Sequence, residues 1–313
     1  MCYSARIRQE WKTFCARLGV KISLADYIEL FWERADGRKL PLPKTMEAMF
    51  ANPSTGDERR AWDAVVRYRE TRTAEVEQEL FDLRRRVADA ERKLATKPTK
   101  SAQDSRRIAM NKIDQRLRWL GDLRRDLPTE EQDARIYPGW YVPVIVMENG
   151  ERVLKPMRYQ CRPAGKPAFF DTKFPGTYNA RRDSLSGFWK GQFGVNHGVM
   201  VAEAFFEIVE RDGRKVVLEF RPQGLGDMLV ACLWSRWESP AADGEPGEPP
   251  LLSFAAITDD PPPEIAATGH DRCVIPIKGA NLDAWLDPRG DLDAMQRLLD
   301  DRERPFFEHR LAA

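Results

Sequence analysis

The sequence predicts an α+β protein: a domain of many short strands, interrupted early by an antiparallel helical hairpin. Three observations carry this. After Pro128 the chain breaks into short β-rich runs, "YVPVIVM", "RKVVLEF", "MLVACLW", "LLSFAAIT" and "CVIPI", divided by turn signals such as "ENGE" and "RDGR". From about Arg72 to Leu127 apolar residues recur at three- and four-residue steps, the seam of paired helices. And 313 residues, 42% hydrophobic and 32% charged, suffice to bury a real core under a polar surface.

Taken in order, "RQEWKTFCARLGV" and "SLADYIELFWERA" read as short helices, the second with Ser23 as N-cap and Asp26 three residues on. "LPLPK" and "NPSTGD" break the pattern. Val76, Leu80, Leu83, Val87, Ala90 and Leu94 then form one seam, "TKPTKSAQDS" turns the chain, and Met110, Ile113, Leu117 and Leu120 resume the spacing. The charge on the other faces of this hairpin reads as solvated surface. "DAWLDP" and "LDAMQRLLDD" look like closing helices, and "ESPAADGEPGEPP" like a mobile, exposed acidic loop. No repeat is visible.

Composition excludes several classes. The net charge of +1 announces no polyanion partner, so a nucleic-acid site must be a local basic patch. No apolar run approaches 18 residues, and the N-terminal stretch lacks the apolar core of a signal peptide, so a cytoplasmic protein without membrane contact is expected. Cys2, Cys15, Cys161, Cys232 and Cys273 form no CxxC pair, and His197, His270 and His309 show no ligand spacing. Neither a metal, nor another cofactor, nor a disulfide framework is expected.

Four stretches can carry chemistry. "MCYSAR" places Cys2 behind Met1. Loss of Met1 would leave an α-amine and a thiol on adjacent carbons, a pair no other residue offers; otherwise Cys2 is a small, half-buried terminal residue. "YNARRDS" supplies Asn179 and Arg181, and Asn179 could equally hold a turn. "VAEAFFEIVE" places Glu207 on a face with Phe205, a buried carboxylate with a raised pKa or else a solvent-facing strand-edge residue. "TGHDRCVIPI" puts His270 at a loop-to-strand junction.

Together these stretches resemble the SRAP family, the SOS-response-associated peptidases, also described as abasic-site processing proteins. Met-Cys at the start, a Tyr/Pro turn before "VPVIV", Asn-Ala-Arg, the acidic-aromatic strand and His-Asp-Arg follow the family's order; "MLVACLW" resembles its "AGLW" strand. The chain departs from the family at Tyr3 and Ser4, where Gly-Arg is usual, and at Asp183, Ile208, Cys273 and Val274. The missing Arg removes one expected contact to a DNA phosphate.

The resemblance implies a mostly antiparallel twisted sheet or open barrel with flanking helices, formed by residues 1–35 and 132–313. Residues 36–131 are then a helical insertion, a site for a protein partner or for self-association. It also implies a covalent, lyase-like crosslink between Cys2 and abasic sites in single-stranded DNA, part of a DNA-damage response, with autoproteolytic removal of Met1 as a hydrolase step. In that scheme Asn179 aims the amine, Glu207 shuttles protons and His270 bonds a sugar oxygen. Arg181, Arg182, Arg158 and Arg162, with Lys166 and Lys173, would meet phosphates, and Trp140 and Tyr141 would stack on bases or else pack the core. Two other readings use the same residues differently: a thiol peptidase limited to its own N-terminus, and a non-enzymatic interaction factor working through the hairpin.

Overall fold

The computed structural model describes residues 4–8, 10–239 and 248–312. Cys2 and most of the acidic loop therefore lie outside the described residues. The chain divides into two compact units, one of residues 1–27, 40–49 and 129–313, the other of 28–39 and 50–128.

In chain order the elements are β1 (Ser4–Ile7), α1 (Trp11–Leu18), β2 (Lys21–Ile22), α2 (Leu24–Ala35), α3 (Lys44–Ala48), α4 (Gly56–Thr96) and α5 (Lys100–Leu123). Then come β3 (Arg135–Ile136), β4 (Tyr141–Glu148), β5 (Glu151–Tyr159), α6 (Phe170–Lys173), β6 (Asn179–Arg181), β7 (His197–Arg211) and β8 (Arg214–Pro222). The chain closes with β9 (Met228–Trp237), β10 (Leu251–Asp259), α7 (Pro263–Ala266), β11 (Cys273–Val274), α8 (Leu282–Leu286), α9 (Leu292–Asp300) and β12 (Phe307–Leu311).

The first unit is a mixed, mostly antiparallel sheet with flanking helices, as predicted. Its two tight hairpins follow from their turn residues. Asn149 and Gly150 (φ 53° and 78°) join β4 to β5, and Asp212 and Gly213 (φ 50° and 70°) join β7 to β8. Both pairs have the two positive φ values of a type I′ turn, whose twist matches that of the strands. The long strand β7 organises the sheet. Its first half pairs with β4 and β9, and its second half with β1 and β8. Because β4 pairs with β5, β5 with β10 and β10 with β9, the ladders β7–β4–β5–β10–β9 close on themselves as a five-strand ring. The ring needs Gly198: a Cβ there would stand 2.9 Å from Cγ1 of Val144, so only glycine lets β4 and β7 approach this closely.

The second unit contains the hairpin. Val76 and Leu80 of α4 pack with Leu120 and Leu123 of α5, joined by Tyr68, Ile113 and Trp119. Two boundaries differ from the sequence expectation. Helix α4 starts at Gly56 rather than near Arg72, because Thr55 caps it: its side chain accepts from the Glu58 N–H at 3.2 Å, while Glu58 accepts from the Ser54 N–H at 2.6 Å. The predicted turn 96–105 shrinks to Lys97–Thr99, since the Thr99 side chain accepts from the Ala102 N–H and starts α5 directly after Pro98. Among the described residues no helix is long and apolar enough to cross a membrane.

Candidate functional site

Two predicted site residues meet. Glu207 lies on β7 with its side chain 1% exposed, and Oε2 stands 3.2 Å from Nε2 of His270, itself 7% exposed. Burial, not a strand edge, is thus the outcome for Glu207. The register explains its place: Glu207 pairs with Leu218 of β8, and its neighbour Phe206 pairs with Ser4, where the described part of β1 begins. Gly269, with φ 87°, takes the left-handed turn that delivers His270 before β11. Cys273 on β11 is also drawn in. Burial raises its thiol pKa, and the Glu207 charge raises it further.

Asn179 starts β6, in parallel register with Ala256 of β10. It is buried, yet among the described residues neither its amide nitrogen nor its amide oxygen has a hydrogen-bond partner. A buried polar group left so costs about 1–3 kcal/mol. Two residues that sequence reasoning passed over share this condition. Thr258 of β10 and Thr177, two residues before Asn179, are buried with unpartnered hydroxyls among the described residues. Thr258 pairs with Arg181, so Asn179 and Thr258 fall on one face of the β6–β10 pair. Nothing in "AAIT" announces this, since a strand Thr is ordinary.

The predicted arginines divide. Arg158 and Arg162 converge on Asp171, at 2.8 Å and 2.6 Å, and Arg162 also stacks over Trp237 at 4.3 Å. Burial would raise the Asp171 carboxyl pKa, but these two cations outweigh it and hold the pKa below the usual carboxylate range. Arg182 is tied to Asp259 (3.2 Å) and Asp300 (2.6 Å). Only Arg181 remains well exposed, at 43%, with Asp183 at 3.1 Å. Tyr141 is buried in the core, and Trp140 is half-buried against Tyr137, with ring centroids 5.4 Å apart.

A different surface offers exposed rings. Phe169, Phe174 and Phe188 are 62%, 41% and 47% exposed. Phe170 stacks on Phe188, and the Lys173 ammonium lies 5.5 Å from the Phe174 ring. The aromatic-lysine alternation of "KPAFFDTKF", just ahead of Asn179, was the available signal. Arg135 was also missed. It sits 3.9 Å over the Phe206 ring, its Nε donates to Ser4 Oγ at 3.2 Å, and no carboxylate pairs with it among the described residues.

The four described cysteines are free and buried. Burial pushes the Cys161 thiol up to about 12 and the Cys15 thiol to about 11. None is a ready nucleophile near neutral pH. Among the described residues no His, Cys, Asp and Glu cluster could hold a metal ion.

The search of curated proteins finds no match to this chain. Solved structures do resemble it. A protein from Bacteroides thetaiotaomicron is 14% identical, with a TM-score of 0.48 over 57% of this chain and 78% of its own. One from Bordetella bronchiseptica is 20% identical, with a TM-score of 0.47 over 60% and 90%. A phage-related protein from the same organism is 16% identical, with a TM-score of 0.42 over 59% and 84%. The profile of the SOS response associated peptidase family matches residues 99–310, more than half of the chain and all of the strands from β3 to β11. The chain belongs to the SRAP family.

Proposed function

We propose that this protein traps abasic sites in single-stranded DNA through Cys2, once Met1 has been removed. The observation that carries the reading is the buried Glu207–His270 contact beside the start of β1. Cys2 is two residues from Ser4, so covalent geometry keeps their Cα atoms within about 7 Å.

A ring-opened abasic sugar presents an aldehyde. The free α-amine of Cys2 adds to it, giving a carbinolamine that loses water to form an imine. The thiol sulfur then adds to the imine carbon while its proton passes to nitrogen. The product is a neutral five-membered thiazolidine, and the net loss is one water. With reference pKa values of about 8 for an α-amine and 8.5 for a thiol, both groups are partly nucleophilic near neutral pH. The four described thiols lack a neighbouring α-amine, so none can close this ring.

Three side chains then have work. Glu207 takes and returns protons during ring opening and dehydration, with His270 in contact to pass a proton onward or to bond a sugar oxygen. The Asn179 amide, unpartnered among the described residues, accepts a bond from the terminal amine or a sugar hydroxyl. Thr258 stands to do the same. For phosphates, Arg181 is the available cation of the four predicted. Arg135, bonded to Ser4, stands in for the family's usual arginine at that position. The exposed Phe169, Phe174 and Phe188 suit stacking on unpaired bases.

The test is a denaturing gel of the protein with single-stranded DNA carrying one abasic site. A heat-stable shifted band lost in Cys2→Ala is expected. Cleavage of peptides with no such band would assign the same residues to a peptidase and end this reading.

A further inference from the structure

The hairpin is not evenly charged. Between Arg84 and Lys112 stand ten Lys and Arg against three Asp and Glu, a surplus of +7 in a chain whose total is +1. The lower part of α4 runs the other way, with eight acidic and five basic residues between Asp57 and Asp82. Solvated helices need no such gradient. They gain from alternating signs at neighbouring turns.

Pairing lowers this surplus by only one, because three of the four acidic partners are already counted in it. Arg85 meets Asp82, Arg106 meets Glu91, Arg107 meets Asp104, and Arg92 meets Asp89. These are exposed pairs, worth little and easily exchanged. Arg84, Lys93, Lys97, Lys100 and Lys112 are exposed and have no acidic partner among the described residues. The Nε of Arg86 is held only by the Ser105 hydroxyl, at 2.9 Å.

We propose that this distal half of the α4–α5 hairpin, residues 84–112, is a sequence-independent binding arm for the backbone of duplex nucleic acid. The stretch contains no Phe, Trp or Tyr, so it offers no stacking platform for unpaired bases. What it offers is charge, and a duplex has a dense line of it, about one negative charge per 1.7 Å. The part of α4 from Arg84 to Thr96 is about 20 Å long at 1.5 Å per residue, which spans about twelve such charges. A bilayer fits less well. Ala90, Ala102 and Ala109 are buried in the hairpin, and the exposed large apolar side chains of the stretch are only Ile108 and Met110. The arm is independent of the chemistry proposed for Cys2.

The experiment measures the full chain binding an undamaged 20-base-pair duplex by fluorescence anisotropy, from 50 to 200 mM salt. Undamaged DNA has no aldehyde, so failure here and failure of the Cys2 reading are separate results. The unsubstituted chain is expected to bind with steep salt dependence. The exposed triple variant Lys93→Gln, Lys97→Gln, Lys100→Gln should bind at least tenfold more weakly at 50 mM. Its log–log salt slope should flatten by about 2 to 3, near 0.9 per lost contact. Arg59→Gln with Arg60→Gln, near the start of α4, should leave both quantities unchanged. An unaltered slope in the triple variant overturns the proposal. So does equal loss in the Arg59/Arg60 variant, or binding to phosphatidylserine-containing vesicles without binding to the duplex.

Discussion

Strand β7 carries a buried titratable side chain near each end, and the two are built for opposite purposes. At its start His197 is spent on the scaffold. The Gly194 N–H donates to Nε2 at 2.8 Å, Nδ1 meets the Trp285 carbonyl at 3.1 Å, and the ring lies between Phe193 and Trp285. Further along, Glu207 faces the imidazole of His270, and on β6 the buried Asn179 amide has no partner among the described residues. The lesson is about satisfaction rather than burial. A buried group whose bonds are all met holds the fold together. A buried group with no partner among the described residues, as at Asn179, costs stability, and the cost is repaid only if something else arrives to bind it.

The comparison can be broken most sharply at Glu207. Glu207→Gln keeps the shape and removes the proposed proton carrier. Single-turnover crosslinking should slow about a hundredfold, roughly 2.7 kcal/mol in the barrier, with DNA affinity largely kept. Loss of affinity at unchanged rate would make Glu207 a binding residue instead.

The opposite end should respond through stability. Burial lowers the His197 pKa to about 3, from about 6.5 in an unfolded chain. Below pH 6.5 the unfolded state therefore binds more protons, and stability falls as pH drops through the window from 6.5 to 3. At pH 5 this single group accounts for about 2 kcal/mol. His197→Gln should lower the stability at pH 7.5 and flatten its decline toward pH 5 in denaturant titrations. An identical acid slope in the variant would show that other groups set it.

The smallest effect distinguishes cost from use. Asn179→Leu replaces the orphan amide by an apolar group of similar size. Stability should rise by about 1 kcal/mol while crosslinking slows about tenfold. A drop in stability would mean that the amide is satisfied within the fold and is scaffold like His197.

Much of this architecture was legible in the residues. The Asn-Gly and Asp-Gly turns and the short β-rich runs determine the hairpins locally, and the seam from Val76 to Leu94 determines α4 across its middle. The start of α4 was not, because cap residues carry no apolar period: the helix begins where Thr55 accepts from the Glu58 N–H and Glu58 accepts from the Ser54 N–H, bonds that exist only in the fold. The choice of Glu207 and His270 as candidates of one site followed from the family resemblance, not from any spacing, and their contact was not foreseen. That Arg158 and Arg162 are bound to Asp171 could not be read, since the loop that brings the carboxylate back is irregular. Nor could the lack of partners for Asn179 and Thr258 among the described residues, which depends on every neighbour of each atom.

The central claim is that Cys2, as a free aminothiol, closes a ring with the abasic sugar, and mass spectrometry of the digested adduct tests it most directly. The account predicts an N-terminal peptide beginning at Cys2, heavier by the sugar fragment less one water, whose thiol resists alkylation until the link is reversed. An adduct mapped to a lysine, or a Cys2 thiol that alkylates freely within the adduct, would contradict it.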